Sequence, residues 1–357
     1  MNLQNIYWVR TAAGLEHIFV QELEAKLSSN VLDIKHKSVF FELNENNINE
    51  SQLTTCLKTA DDIYKFIGNC DGIDNTKLST ENIIKYFEQN VLPELESISS
   101  NAFRITVSFL GTRNFNRFYI ENLLNSILEI KTKAYILSNE KGEKWKESEK
   151  RIRIHIEDNK AYFGIGLQDK PLHRRKWREN SYTAQLHPPL AAAMVFIANT
   201  PKGAKIIDPF CGSGTILVES ALQNNTSQHI GFDIEKNAIQ IANENSNLAQ
   251  TNIEFHNEEF FKSYKSFGNY FIITNPPWGE KHMIDPKGEN LFFQKLIDVI
   301  AQSQQAVILI PQDLVDKLEN RGVGLKEIFQ TRVRGKLASV ILITKKNEGF
   351  NYNSTHS

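Results

Sequence analysis

Cysteine is scarce in this sequence, and its scarcity excludes several kinds of site. The 357 residues contain only three cysteines, Cys56, Cys70 and Cys211, and these lie far apart. Their spacing matches neither a zinc site nor a disulfide framework, so we expect no metal ion and no disulfide bond. Free thiols suit a reducing compartment, and the expected location is therefore the cytoplasm.

Long apolar runs and an excess of charge of one sign are also missing. The longest apolar run, residues 190–198, is too short to span a bilayer, and the first residues lack the pattern of a signal peptide. We therefore expect no membrane partner. The formal net charge of −1 gives no general attraction to nucleic acid, so any such contact must come from local basic patches. The length predicts two or three domains, and a monomer is the favoured oligomeric state.

The most informative segment is Asp-Pro-Phe-Cys-Gly-Ser-Gly-Thr at residues 208–215, which has the pattern of a nucleotide-binding turn. An apolar run at 204–208 predicts a buried parallel strand before the turn, and residues 215–222 predict a helix after it. Gly212 and Gly214 allow a sharp turn and a close approach of the backbone to a ligand. We expect that ligand at the helix N-terminus, outside the carboxyl ends of the strands.

Two carboxylates indicate which nucleotide the turn binds. A dinucleotide fingerprint needs a third glycine where this chain has Leu217, which argues against a pyrophosphate. Asp208 instead suits the ammonium group of a methionine moiety. Asp233 ends the next predicted strand, residues 229–233, and can accept both hydroxyls of a ribose. The same position also suits an N-cap of the following predicted helix, residues 235–249.

A second segment, Asn-Pro-Pro-Trp at residues 275–278, follows a predicted strand at 270–274. Its two prolines fix the backbone and remove two donors, which leaves a stiff turn with outward carbonyls. An exocyclic amine delocalises its lone pair into the base, so acceptors must hold both N–H bonds before the nitrogen can attack a methyl group. The side-chain oxygen of Asn275 and the carbonyl of Pro276 can do this, while Trp278 stacks on the base. The predicted catalytic residues are Asn275, Pro276, Pro277 and Trp278.

Together the two segments predict transfer of a methyl group from S-adenosylmethionine to the exocyclic amine of a base. Since a sulfonium is already a good electrophile, positioning should supply most of the rate. A release-factor glutamine methyltransferase would carry the same Asn-Pro-Pro segment, which we call the amine clamp. We expect such an enzyme to have a helical N-terminal domain, whereas the N-terminal half of this chain alternates strands and helices. The clamp itself does not distinguish guanine N2 from adenine N6. A non-enzymatic alternative is an RNA-binding protein that retains an inactive transferase fold. The intact residues of both motifs argue against this alternative.

The chain resembles the THUMP-domain RNA methyltransferases, whose members methylate guanine N2 in tRNA or ribosomal RNA. The resemblance covers nearly the whole chain. Besides the two motifs, it is carried by residues 11–16, 59–61, 103–109, 171–178 and 187–191. The chain departs from the family after the third strand, where Glu258 takes the place of the usual aspartate on the adenine amine. It also has Tyr270 where an acid commonly stands.

This resemblance implies a Rossmann-like α/β methyltransferase domain, doubly wound around a mainly parallel sheet with a terminal antiparallel hairpin. An α+β ferredoxin-like subdomain and a THUMP domain would precede it. The implied boundaries are 1–65 for the ferredoxin-like subdomain, 66–166 for the THUMP domain, 167–182 for a basic connector, 183–346 for the methyltransferase domain and 347–357 for a disordered tail. The implied cofactor contacts are His187, Asp208, Pro209, Cys211, Gly212, Gly214, Thr215, Asp233, Ile234, Glu258 and Asn275.

Hydrophobic periodicity predicts the remaining elements. In the N-terminal half it predicts strands at 6–9, 31–35, 39–43, 103–109, 152–156 and 161–165, and helices at 15–27, 79–92 and 117–130. Residues 138–150 are highly charged and are predicted to be a solvated excursion. In the C-terminal half it predicts a strand at 306–310 and a hairpin of 329–333 and 337–344, joined at Arg334-Gly335.

Clusters of basic residues are the candidate RNA contacts. The connector places Lys170, Arg174, Arg175, Lys176 and Arg178 beside Trp177, so that cations could hold phosphates while the indole stacks. Further candidates are Arg332, Arg334 and Lys336 on the hairpin and Arg104, Arg113 and Arg117 on the THUMP unit, although surface ion pairs would explain these equally well.

The overall prediction is an S-adenosylmethionine-dependent methyltransferase acting on guanine N2 in RNA. We favour tRNA because a lone catalytic half fused to a THUMP unit suits the tRNA enzymes. Ribosomal RNA is the alternative, which Gly279-Glu280 after the clamp favours.

Overall fold

The computed structural model describes residues 5–44, 48–98, 102–132, 135–136, 149–178, 185–263, 269–278, 286–319 and 324–344. Most of the predicted excursion at 138–150, the pair Gly279-Glu280 and the predicted tail at 347–357 lie outside the described residues. The chain divides into two compact units. The first comprises residues 1–11 and 20–172, and the second comprises residues 12–19 and 173–357.

The first unit is built on one eight-stranded sheet with the order β2-β3-β1-β4-β8-β7-β5-β6. The strands are β1 (Ile6–Arg10), β2 (Ser29–Lys35), β3 (Ser38–Leu43), β4 (Asp62–Asp71), β5 (Ala102–Phe109), β6 (Tyr135–Ile136), β7 (Glu149–Glu157) and β8 (Lys160–Gly166). The helices are α1 (Glu16–Lys26), which crosses the division after residue 19, α2 (Glu50–Cys56), α3 (Thr80–Tyr86), α4 (Leu92–Glu96) and α5 (Arg117–Thr132). Apolar side chains of β5, β7 and β8 form a core with α3, α4 and α5.

The predicted boundary between residues 65 and 66 falls inside β4, so that boundary is wrong. β4 pairs with β1 on one side and with β8 on the other, which makes residues 1–65 and 66–166 parts of one sheet. Periodicity did not predict this strand because a bulge between Phe66 and Gly68, where Gly68 has φ +131°, breaks the alternation of its side chains.

The second unit has a seven-stranded sheet with the order β11-β10-β9-β12-β13-β15-β14. The strands are β9 (Lys205–Asp208), β10 (Gln228–Phe232), β11 (Glu254–His256), β12 (Phe271–Thr274), β13 (Gln305–Pro311), β14 (Leu325–Val333) and β15 (Lys336–Thr344). The helices are α6 (Pro188–Ala198), α7 (Thr215–Gln223), α8 (Lys236–Leu248), α9 (Phe260–Ser263), α10 (Pro286–Gln302) and α11 (Gln312–Glu319).

The first five strands of this order are parallel, and β15 and β14 run antiparallel to their neighbours. The predicted Rossmann-like sheet with a terminal hairpin is therefore confirmed. The hairpin turns at Arg334 and Gly335, whose φ values of +53° and +82° match the two-residue turn that suits twisted strands. One apolar core packs α6 and α7 on one face of the sheet, and another packs α10 and α11 on the other.

Residues 12–19 belong to the second unit although they lie near the start of the chain. Leu15 and Ile18 are buried in the core that contains α6. Gly14 lies against β14 so closely that a Cβ atom there would be 1.9 Å from the carbonyl oxygen of Gln330. With a φ of +89°, this position requires glycine. Among the described helices, none is long and apolar enough to cross a membrane.

Candidate active site

The predicted site residues gather where four neighbouring parallel strands end. Asp208 ends β9, Asp233 follows β10, Asn257 follows β11 and Asn275 follows β12. The chain runs outward from β9 to β10 and β11, and then returns to the other side of β9 with β12. This reversal of strand order leaves a crevice at the carboxyl ends, which is where open α/β sheets bind ligands.

The two glycines of the turn have different tasks. Gly212 has φ +52° and open space on the side where a Cβ atom would lie, so the backbone there is accessible to a ligand. Gly214, with φ +76°, precedes α7, and a Cβ atom on it would lie 2.9 Å from the ring of Phe255. Within the turn, Pro209 and Thr215 are buried, so their contribution is to its packing.

The position of the missing third glycine has a structural explanation. Leu217 is fully buried on α7, and its Cδ1 would lie 2.8 Å from a Cβ atom on Gly231. The glycine that permits close packing of the helix on the sheet is therefore on β10. Cys211 is buried as well, and its backbone N–H donates to the carbonyl of Phe232 at 2.8 Å. Burial raises the pKa of its thiol, so Cys211 acts through its backbone and its bulk.

Asp208 is a buried carboxyl group, 1% exposed, at the carboxyl end of β9. Its Oδ1 accepts hydrogen bonds from the Thr274 hydroxyl at 2.7 Å and from the Phe210 N–H at 3.1 Å. Among the described residues, no donor contacts Oδ2. Burial, with a smaller contribution from the charge of Asp233, raises the pKa of Asp208 to about 7. A cation such as an ammonium group would supply the missing counter-charge.

Asp233 connects the glycine turn to the end of β10. Its Oδ2 accepts the N–H of Gly212 at 2.9 Å, and its Oδ1 accepts the N–H of Glu235 at 2.9 Å. The N-cap position of α8 is Glu235, so Asp233 forms a turn before the helix and is not its N-cap. The side chain is half-buried, and each carboxylate oxygen can accept a further bond, so two ribose hydroxyls fit this position.

The surroundings of a bound adenine would come from the ends of β10 and β11. Ile234 is 53% exposed, and Glu258 is exposed. Sequence reasoning missed Asn257, whose Nδ2 donates to the carbonyls of Asp233 and Ile234 at 3.1 and 3.0 Å. The signal that could have identified Asn257 is an amide side chain directly after a strand that neighbours the strand ending before Asp233. Its two hydrogen bonds hold the loops after β10 and β11 together.

His187, a predicted cofactor contact, is half-buried at the N-cap of α6. Its ring lies 5.4 Å from that of His173. Burial, with His173, Arg178 and Arg175 nearby, lowers the pKa of His187 to about 3, so the ring is neutral. Its contact with a cofactor stays a prediction.

The Asn-Pro-Pro-Trp segment presents a buried acceptor. Oδ1 of Asn275 is buried and has no hydrogen-bond partner within the described part of the chain. Pro276 is buried behind it, and Pro277 is partly exposed. Trp278 is half-buried against the core that contains α6, and its indole N–H donates to the carbonyl of Leu309 on β13 at 3.3 Å. The indole is thus held in place by the neighbouring strand.

Several predicted RNA contacts prove to be structural, and these predictions are wrong. In the connector, Arg175 pairs with the fully buried Glu219 on α7 at 2.6 Å, and Trp177 is only 6% exposed, so neither can contact a nucleic acid. In the first unit, Arg104 is 3% exposed and pairs with buried Glu149 at 2.9 Å.

Two other arginines use part of their guanidinium groups in hydrogen bonds within the protein. Arg113 donates to the carbonyls of Ile73 and Asp158, and so fastens loops of the first unit. The half-buried Arg178 donates to Gln185 at 2.7 Å. The basic side chains that remain exposed are Lys170, Arg174, Lys176, Arg332, Arg334 and Lys336, together with Arg117 in the first unit.

Comparison with known proteins agrees with the geometry of the second unit. A family model described as an RMKL-like methyltransferase domain matches residues 175–338. A second model, described as a DNA methylase, matches residues 32–244, which includes the glycine turn and ends before Asn275.

Individual relatives point to RNA enzymes. The chain is 23% identical over 342 residues, 81% of its length, to the ribosomal RNA large subunit methyltransferase K/L of Photobacterium profundum. It is 28% identical over 195 residues, 52% of its length, to the tRNA (guanine(6)-N2)-methyltransferase of Thermus thermophilus. The chain spans about half the length of these curated relatives, 46% and 54% respectively.

One solved structure, that of SMU.472 complexed with SAH, superimposes with a TM-score of 0.71. The match covers 96% of this chain and 99% of that one at 16% identity, a level that shows the fold alone.

Proposed function

We propose that this chain, which belongs to the RMKL-like class I methyltransferases, transfers a methyl group from S-adenosylmethionine to N2 of a guanosine in RNA. The observation that carries the proposal is the buried, unpartnered Oδ1 of Asn275 at the end of β12. A buried acceptor without a donor costs about 1–3 kcal/mol, so the site is expected to gain an N–H donor from its ligand. An exocyclic amine supplies that donor.

The residues of the crevice fit the proposed cofactor. Oδ2 of Asp208 would take the ammonium group of the methionine moiety, and Asp233 would take the ribose hydroxyls. The exposed Ile234 would cover one face of the adenine, and Glu258 would accept its amine. The open backbone at Gly212 leaves room for the ligand between them. When bound, S-adenosylmethionine supplies an electrophilic methyl group.

The chain's own contribution is orientation of the amine. Asn275 Oδ1 would accept one N–H, and the carbonyl of Pro276 would accept the other, which turns the nitrogen lone pair toward the methyl group. Trp278, held by β13, would stack on the base. No strong base is needed at this step, because the leaving sulfur is neutral and the proton can depart after the bond has formed. Positioning of this kind supplies the rate acceleration.

RNA is the proposed substrate, with tRNA favoured and ribosomal RNA as the alternative. The named relatives act on these two RNAs, and one of them acts on guanine N2. We assign RNA binding to the first unit, as a ferredoxin-like and THUMP region, and to the exposed cations Arg174, Lys176, Arg332 and Arg334. The enzyme would work in the cytoplasm, where tRNA is modified.

Adenine N6 methylation is the second candidate, because the DNA methylase model also matches the chain. Purified protein should be incubated with labelled S-adenosylmethionine and unmodified tRNA or ribosomal RNA, and the nucleosides analysed by mass. We expect N2-methylguanosine in tRNA. N6-methyladenosine would establish the second candidate, and a protein that binds no cofactor would be an inactive RNA-binding module.

The Asn275→Ala variant tests the clamp. It should leave cofactor and RNA affinity nearly unchanged and lower the single-turnover rate, since its contact orients the amine in the transition state. A variant that loses RNA affinity but keeps the wild-type single-turnover rate would show that Asn275 is not the clamp.

A further inference from the structure

Thr274 connects the two motifs of the site. It is the last residue of β12, immediately before Asn275, and it is fully buried. Its hydroxyl donates to Oδ1 of Asp208 on β9 at 2.7 Å. The backbone pairing of these two strands ends at Ile272 and Ile207. The hydroxyl bond therefore spans the two strands just beyond the end of their pairing, where the two motifs begin to separate.

The hydrogen-bond acceptor of the Thr274 hydroxyl, a carboxylate on a neighbouring strand, indicates a role beyond the packing of its own strand. A buried threonine in a strand can satisfy its hydroxyl with a nearby backbone carbonyl, which would fix nothing outside its own strand. Here the hydroxyl proton goes to a buried carboxyl oxygen instead, and that oxygen also accepts the Phe210 N–H of the glycine turn. One oxygen atom thus joins the turn, β9 and β12, while Oδ2 of the same group faces no donor among the described residues.

We propose that Thr274 is a positioning residue that holds the amine acceptor of Asn275 in register with the cofactor carboxyl Asp208. The proposal rests on the proposed function and adds a residue to it. The Thr274 hydroxyl touches neither the cofactor nor the base. It acts by fixing the start of the Asn-Pro-Pro-Trp segment relative to the group that holds the cofactor, so that the amine meets the methyl group at the correct distance and angle. Small displacements of a reacting group reduce the rate strongly.

The same bond also sets the ionisation of Asp208. Donation from Thr274 favours the ionised carboxylate, as does the N–H of Phe210, while burial and the charge of Asp233 oppose ionisation. Cys211, the other titratable group facing Asp208, is a buried thiol whose pKa is raised, so it remains neutral. Removing the hydroxyl should therefore move the ionisation of Asp208 to higher pH.

Thr274→Val and Thr274→Ser form a matched pair for the test. Valine has the shape of threonine and suits a buried strand but lacks the hydroxyl, and serine keeps it. In Thr274→Val, the single-turnover rate at saturating cofactor and RNA should fall by about tenfold or more. The KM for RNA should stay near that of the wild type. The pH midpoint of S-adenosylhomocysteine binding should rise. Thr274→Ser should restore both properties.

Two results would overturn the proposal. In one, Thr274→Val matches the wild type in rate and in pH midpoint. In the other, Thr274→Val and Thr274→Ser lose thermal stability and rate equally, which indicates a packing role. The binding measurement uses no RNA, so it decides the link between Thr274 and Asp208 even where the methylated base proves to be other than guanosine. Failure of the proposed function and failure of this inference are thus distinguishable.

Discussion

At the scale of single residues, the site holds two acceptor oxygens, Oδ2 of Asp208 and Oδ1 of Asn275, that receive no donor from the described residues. Asp208 offers one oxygen to the protein and one to the crevice, and Asn275 offers an oxygen to no residue of the described chain. Groups in this condition are costly to bury, and they recur where a ligand completes the hydrogen bonding. Both acceptors would receive N–H donors, one from an ammonium group and one from an amine.

Cofactor affinity should depend on pH through Asp208. The pKa of this carboxyl group is raised to about 7 by burial, with a smaller effect of Asp233, and a ligand cation favours its ionised form. Binding below about pH 7 must therefore release a proton, and Kd should rise by up to tenfold for each pH unit of acidification. Calorimetry with S-adenosylhomocysteine between about pH 6 and pH 8 measures this. Asp208→Asn should bind weakly at every pH, and a pH-dependent Kd in that variant would contradict the assignment.

The stability of the unbound protein should change in the opposite sense. A carboxyl group whose folded pKa lies above its unfolded value stabilises the fold at low pH, and that contribution is lost as pH rises through the folded value. For Asp208 the window extends from the ordinary value of 3.8 to about 7. Cofactor present in excess should restore the lost stability at neutral pH.

At the scale of elements, the connector is attached to α7 by a buried ion pair. Arg175 pairs with Glu219 near the middle of that helix, and Trp177, two residues further along the connector, is buried. The two flanking cations, Arg174 and Lys176, point outward and remain exposed. One short segment therefore fastens the helix that follows the glycine turn and presents two charges on its outer side.

Substitutions in the connector should separate these two tasks. The double variant Arg174→Ala/Lys176→Ala should retain cofactor binding. Its plot of log K for RNA against log salt should become shallower by roughly 0.9 for each phosphate that the variant no longer neutralises. Arg175→Ala is the contrast, because removing one partner of a buried ion pair costs about 3–5 kcal/mol of folding stability. Filter binding over a salt series and thermal unfolding provide the two measurements. An unchanged salt slope in the double variant would show that Arg174 and Lys176 do not contact RNA phosphates.

The sequence predicted the strand ends and turns better than it predicted the surroundings of the basic residues. Strand ends, glycines and prolines leave local patterns, so the turn at 208–215 and the segment at 275–278 were located without a structure. Buried arginines leave no such pattern, since the partners of Arg104 and Arg175 lie 45 and 44 residues away along the chain. The link between Thr274 and Asp208 spans 66 residues and was likewise not predictable.

At the scale of the whole molecule, the two units do not correspond to two halves of the chain. Residues 12–19 carry Leu15 and Ile18 into the core of the second unit, and Gly14 lies against its hairpin. A boundary drawn near residue 182 from the sequence therefore omits part of the second unit. The signal was present, since Gly14 stands in the segment at 11–16 that carries the family resemblance.

Truncation should show the contribution of this segment. A chain of residues 173–357 lacks the contributions of Leu15 and Ile18 to its core, worth roughly 1.5–3 kcal/mol each, and should unfold at lower temperature than one with residues 12–19 joined ahead of 173. The joined chain should bind cofactor but methylate RNA without selecting a site, since a flipped base carries little information about its surroundings. Equal melting temperatures would contradict the first expectation, and full-rate methylation of one nucleotide would contradict the second.

The interleaving of the two units also fixes an order of events during synthesis. The segment 12–19 leaves the ribosome long before the strands that it packs against, and the whole of residues 20–172 is made in between. The second unit, in contrast to the first, combines a piece made near the beginning of the chain with strands made last, so its fold can be completed only late in synthesis. The proposed methyl transfer would therefore require both ends of the second unit, residues 12–19 and the strands made last, to be present together.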